Sequence, residues 1–186
     1  MAEQLLEAAG QILKTHGPAQ LTMRRLADET GTSTRAIYSL FGDKAGLLSA
    51  MYERMAAVLS DRHAAVPVRE DDVVGELVEL ALAYRAAVRQ HPNLYSFVFA
   101  SMSDFVPSAE QLGLARAGYR RVLGAFERAV DRGIFAAKPA ELGLQLHALV
   151  HGLASLELAG GLGGTRTAKR RWTQAVEAML HGFRRT

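Results

Sequence analysis

The chain has 186 residues, 49% of them hydrophobic, and a net charge of +3, enough for one domain or for a small one joined to a medium one. It contains no cysteine, which excludes disulfides and thiolate metal sites. It also has neither the ~20-residue apolar run of a membrane helix nor a charged-then-apolar leader. The mild positive charge permits a nucleic-acid partner without pointing to one.

Leu5, Leu6, Ala9, Ile12 and Leu13 recur at helical spacing. They predict a first helix from Leu5 to His16, ended by Gly17. The stretch Leu21 to Lys44, LTMRRLADETGTSTRAIYSLFGDK, reads as two short helices around a tight turn. Thr22 is placed to cap the first of them, because its hydroxyl can accept a free N–H of the first turn. Leu26 and Ala27 face inward, and Ala27 is small enough for a second helix to cross closely. Gly31 stands where a left-handed residue is needed. Ser33 then caps a helix carrying Thr34, Arg35, Ala36, Ile37, Tyr38 and Ser39, with Ile37 and Phe41 packing back on Leu26. This is the sequence form of a helix-turn-helix, whose second helix enters the DNA major groove.

Apolar residues recur again in Leu47, Leu48, Met51, Met55, Val58 and Leu59, predicting a helix from Asp43 to Asp61. His63 to Arg69 reads as a connector. Val73 to Val88 is amphipathic and stops near His91-Pro92, since proline disfavours a helical residue before it. Leu94 to Met102 is a short apolar helix, followed by a loop from Ser103 to Pro107. Ser108 and Gln111 have capping-box spacing and open a helix stopped by Gly133. Pro139 suits the first turn of the next helix, to about Leu158. Four glycines between Gly160 and Gly164 form a turn, and a last helix carries Trp172, Val176, Met179, Leu180 and Phe183 on one face. No strand-like alternation interrupts this, so the fold class is all-α. The division falls within or after the helix 43–61: a helix-turn-helix domain over 1–45 and a second helical domain over 46–186.

Leu21-Thr22, Arg24, Leu26-Ala27, Gly31, Ser33, Ile37-Tyr38, Phe41 and Lys44-x-x-Leu47-Leu48, with the helix ahead of them, resemble the TetR family of bacterial transcriptional regulators. The resemblance covers the first third of the chain. Three departures stand out: Leu40 replaces a usual His and removes a phosphate contact, Thr32 replaces an aliphatic residue, and no basic arm precedes the first helix. Farther on, HPNLYSFVF and LHALVHGLASLELAG resemble more weakly a ligand-binding-domain subgroup whose motif centres on Trp-His-Gly. Here the triplet is Val150-His151-Gly152.

The resemblance implies a three-helix DNA-binding domain followed by a helical ligand-binding and dimerisation domain. It also implies a cytoplasmic bacterial regulator, expected to be a repressor of a palindromic operator on double-stranded DNA, acting as a homodimer and not as an enzyme. Arg24, Thr34, Arg35 and Ser39 are then the candidates for reading bases, since arginine can donate two bonds to guanine. Thr22, Tyr38 and Lys44 are candidates for holding phosphates. Arg25 is either a phosphate contact or a surface salt-bridge partner.

For a small, largely apolar effector the candidates are Tyr84, Phe97, Met102, Tyr119, Phe126, His147, Leu149 and His151, because pockets are mainly apolar with a few placed polar groups. The same side chains could simply fill the core. His147 and His151, four apart, share a helix face, but a zinc-protease pattern would need Glu at Ala148, so no metal or cofactor is expected. An activator or a regulator without effector remains the nearest alternative. A helical enzyme using His147, His151 and Glu157 is the alternative from another class. Leu146, Leu149, Leu153 and Leu156, with Trp172, Val176, Met179 and Phe183, are expected to form a dimer seam, being more apolar surface than a small domain buries.

Overall fold

The computed structural model describes residues 1–100 and 106–184. Among them the chain forms α1 (Ala2–His16), a 3-10 turn (Pro18–Gln20), α2 (Met23–Thr30), α3 (Thr34–Phe41), α4 (Lys44–Ala64), α5 (Val73–Gln90), α6 (Pro92–Ala100), α7 (Ala109–Asp131), α8 (Pro139–Leu158) and α9 (Thr165–Gly182). No strand occurs among the described residues beyond one isolated bridge between Phe135 and Arg184. No helix there is long and apolar enough to cross a membrane. The fold is all-α, with a helix-turn-helix near its N-terminus. Two compact units divide it: Met1–Val58 with His91–Ala115, and Leu59–Gln90 with Arg116–Thr186.

The first unit is built on the apolar stripe foreseen for α1. Leu5, Leu6, Ala9, Ile12 and Leu13 are buried, as are Leu26, Ala27, Ile37, Leu47, Met51 and Met55 of the following helices. The helix α6 returns to this unit and packs on α1. Gly10 makes that approach close, since a Cβ there would stand 2.9 Å from the carbonyl carbon of Asn93. His91 Nδ1, just ahead of α6, donates to Glu7 of α1 at 2.6 Å. The capping box at the head of α7 forms reciprocally. The Gln111 N–H donates to Ser108 Oγ (3.2 Å), and the Ser108 N–H donates to Gln111 Oε1 (2.9 Å). The Gln111 amide also donates to Glu53 of α4 at 2.9 Å.

The second unit packs α5, α8 and α9 on one another. Its interior holds Leu77, Leu80, Phe126, Phe135, Leu146 and Trp172. This corrects the expected seam. Leu146, Leu153, Trp172 and Val176 are buried within the chain's own unit, because three helices around one centre have enough neighbours to cover both faces' largest residues. Of the seam residues only Leu156 is largely exposed, at 53%, and it stands with Leu144 (64%) and Ala148 on the open face of α8. A side chain added at Gly152 on that face would meet nothing within 4 Å.

Charged groups also enter this unit, held by partners of opposite sign. Glu76 is fully buried and accepts the Arg69 N–H at 2.8 Å, Arg128 at 2.6 Å, and Arg121. Burial pushes its carboxyl up, but these donors outweigh that and hold it below the usual carboxylate range. Arg85 bonds both oxygens of Glu157 at 2.8 and 2.6 Å, the bidentate geometry that makes such pairs strong.

Candidate nucleic-acid interface and an internal polar track

The helix-turn-helix forms from the local signals its residues carry. Thr22 Oγ1 accepts the Arg25 N–H at 3.1 Å, and Ser33 Oγ accepts the Ala36 N–H at 3.1 Å. Each satisfies one of the orphan donors of a helix start. Gly31 is left-handed (φ 65°, ψ 24°), and Thr32 beyond it donates back to Ala27 at 3.1 Å. Leu26 and Ile37 are fully buried beneath the turn. The third helix therefore presents Thr34, Arg35, Tyr38, Ser39 and Leu40 to solvent, with Arg24 and Thr22 exposed on and just before α2.

These side chains differ in what they already hold. Arg25 is engaged within its own surface: Nε donates to Glu29 at 2.8 Å and a terminal nitrogen to Gln20 at 3.3 Å. Of the two alternatives read from sequence, the salt bridge is present. Lys44 Nζ donates to the Pro18 carbonyl at 2.8 Å, tying the start of α4 to the turn after α1. Arg24 and Arg35 make no hydrogen bond or ion pair among the described residues. They are the two guanidiniums of this face whose donors are all available.

In the second unit a different set of side chains meets. Tyr84 of α5 is buried, and its hydroxyl stands 3.1 Å from Nε2 and 3.3 Å from Nδ1 of His151. His151 Nε2 lies 3.0 Å from His147 Nε2. The Tyr119 ring meets the His147 ring edge-on at 5.8 Å. His63, near the end of α4, stacks on Tyr84 at 6.4 Å and shares a 3.2 Å hydrogen bond with the Gly118 carbonyl. Burial lowers His63 and His147 below the usual imidazole range, and burial first and the charge of His147 second push His151 down to about 4. Burial also raises the Tyr119 hydroxyl. Burial thus favours the neutral form of all three histidines. No group of three or more histidine or acidic side chains among the described residues could hold a metal ion.

Tyr84, Tyr119, His147 and His151 are thus brought together, and Leu149 is half-buried on the same helix as the two histidines. Phe126 packs on Phe135 at 6.0 Å in the core. Phe97 is buried in the first unit, and Met102 lies outside the described residues. Sequence reasoning missed His63 by assigning it to a connector. The signal was present: Met51, Met55, Leu59 and His63 continue one helical row at four-residue spacing.

Two family models match the sequence. "Tetracyclin repressor-like, C-terminal domain" matches residues 77–183, and "Bacterial regulatory proteins, tetR family" matches residues 5–51. None of the curated proteins compared matches the sequence. Solved structures share the fold at low identity. The TetR family transcriptional regulator PfmR from Thermus thermophilus is 18% identical with a TM-score of 0.82, covering 98% of this chain and 100% of its own. The fatty acid degradation regulator FadR from Bacillus halodurans is 14% identical with a TM-score of 0.77, covering 100% and 97%. A TetR variant from Acinetobacter baumannii AYE in complex with minocycline is 22% identical with a TM-score of 0.59, covering 99% and 98%.

Proposed function

The chain belongs to the tetR family of bacterial regulatory proteins, and on that premise we propose that it is a ligand-responsive repressor binding a palindromic operator as a homodimer. The observation that carries the reading is the capped helix-turn-helix whose Arg24 and Arg35 are exposed and hold no partner among the described residues. Such arginines are free to pair with guanine edges, each good bidentate contact giving about 1–3 kcal/mol of discrimination. Thr34 and Ser39 read beside them. Thr22 and Tyr38 hold phosphates. Lys44 and Arg25 serve the same surface with part of their donors committed inside the protein. Residues 1–45 form the DNA-binding domain and 46–186 the effector and dimerisation domain.

Two recognition helices must enter successive major grooves about 34 Å apart. A homodimer meets this by symmetry. The open face of α8, with Leu144, Ala148, Gly152 and Leu156, is the surface we assign to the seam. Leu144→Glu should then give monomers that have lost bivalent operator binding. A dimeric Leu144→Glu on light scattering would move the seam elsewhere.

The effector enters beside Tyr84, Tyr119, His147, Leu149 and His151. A TetR variant of the same fold is solved with minocycline bound, which supports a small-molecule effector here. Release of DNA follows if the ligand favours a state in which the recognition helices no longer fit; equal affinity for both states would shift nothing. Selection of bound sequences from random duplexes tests the DNA reading. Recovery of a palindromic consensus is expected, and recovery of unrelated sequences would overturn it.

A further inference from the structure

The last helix, α9, carries its charges in an order that its own stability does not explain. Arg166, Lys169, Arg170 and Arg171 fall near its start, its first turn holds no acid, and Gly164 ahead of it supplies no side-chain cap. A helix start favours negative charge, because its free N–H groups make it the positive end of the macrodipole. Glu177 is the one acid among the described residues of this helix, and it stands farther along. Arg166, Arg170 and Glu177 are exposed and make no hydrogen bond or ion pair among the described residues. They brace neither the helix nor a neighbouring element, and remain free to meet a partner.

Ala168, Trp172, Val176 and Leu180 form the buried stripe of α9. On the other side Arg166, Arg170, Gln174, Glu177 and His181 make one exposed row at helical spacing. The row is positive toward its start and negative beyond its middle. Laid parallel on a copy of itself, it would set arginine against arginine and glutamate against glutamate. A two-fold axis perpendicular to the helix reverses the copy. With that axis between Thr173 and Gln174, Arg170 faces Glu177 of the partner subunit and Glu177 faces Arg170 of the partner subunit, the reciprocity an isologous interface requires. Arg166 then falls opposite His181 of the partner subunit, whose imidazole can accept from it through an unprotonated nitrogen. A nucleic-acid backbone suits the row less well, since Glu177 would meet its phosphates. The helix packs directly against α8, so it is the next surface met by a partner seated on the open face of α8.

We propose that the exposed row of α9 docks antiparallel on the same row of a second copy of this chain, and that the reciprocal pairs of Arg170 with Glu177 select that partner. The inference rests on the homodimer reading above and deepens it from a seam to a register. Symmetry makes each pair occur twice, so a mismatch is doubled. Exposed ion pairs add modest affinity, whereas like charges set against each other are costly. The row therefore serves the choice of the right copy more than the strength of the dimer.

The test uses the full chain in sedimentation velocity at low ionic strength, with Arg170→Glu and Glu177→Arg studied apart and then mixed in equal amounts. Alone, each variant sets like charge against like charge at both symmetric positions, and its dimer should be weaker than that of wild type by about tenfold or more. Mixed, every charge meets its opposite again, and heterodimers should form with an affinity within about threefold of wild type. Formation of the heterodimer shows in itself that both variants have folded. The double variant, Arg170→Glu with Glu177→Arg, should dimerise like wild type, and added salt should narrow the gap between each single variant and wild type. Single variants that dimerise as tightly as wild type would overturn the inference. So would single variants that dissociate and do not recover either on mixing or in the double variant. Both results leave the homodimer standing, since Leu144→Glu tests its seam separately. A wild type that stays monomeric would overturn the homodimer reading itself, and this inference with it.

Discussion

The exposed face of the helix-turn-helix and the interior of the second unit use arginine in opposite ways. In the helix-turn-helix, Arg24 and Arg35 lie on the surface with no partner among the described residues. In the second unit, Arg85, Arg121 and Arg128 reach inward to Glu157 and Glu76. An exposed guanidinium without a partner keeps its donors available to a ligand, whereas a buried, paired one has them committed. Arg25 shows the boundary between the two, being on the helix-turn-helix surface yet bonded to Glu29 and Gln20. Residue type alone therefore does not tell an available guanidinium from a brace of the fold; the partner does.

Breaking a strut should cost stability without touching DNA recognition directly. Glu76→Ala leaves two guanidiniums facing a void and should destabilise the chain by about 3–5 kcal/mol, the range for a buried pair that loses one member. Urea denaturation measures it, and a loss below ~1 kcal/mol would mean the network is dispensable. The second unit should also sense pH. The folded-state value of His151 is depressed to about 4 from 6.5, so the unfolded chain binds the extra proton first. Stability is then complete above pH 6.5 and falls as pH drops toward 4, by up to about 2 kcal/mol once the partial solvation of the ring is allowed for. Denaturation midpoints across this window check the sign, and His151→Leu should flatten the slope.

In the first unit the expected costs are smaller, because its devices are local. Ser33→Ala removes the cap of α3 and should cost about 1 kcal/mol, together with some operator affinity as the recognition helix frays. Arg25→Ala removes an exposed pair of the i, i+4 kind and should change stability by only about 0.3–0.5 kcal/mol. A larger loss in thermal denaturation would place Arg25 among the struts and erase the contrast.

How much of this was legible in the sequence follows from the range of the signals. Thr22, Gly31, Ser33, Ser108 and Gln111 act on backbone groups a few residues away, so the caps, the turn and the capping box could be read without a structure. The return of α6 to α1 depends on Gly10 accepting Asn93, a contact between residues far apart in the chain. The fate of Trp172 and Val176 depends on which helices surround them. Periodicity identified their face correctly as apolar, but it does not say whether that face is covered by the same chain or by a second one. Glu76 carried no sequence signal at all, since a lone glutamate on an amphipathic helix reads as solvated until Arg121 and Arg128 are seen beside it.

Titrating wild type and Arg35→Ala against a selected operator and a shuffled duplex of equal length, over a range of salt, tests most directly whether the first unit's unpartnered arginines read DNA. Arg35→Ala should lose operator affinity worth about 1–3 kcal/mol per half-site while its affinity for the shuffled duplex changes much less. Equal losses on both duplexes, or none on either, would contradict the assignment of Arg35 as a reader of bases.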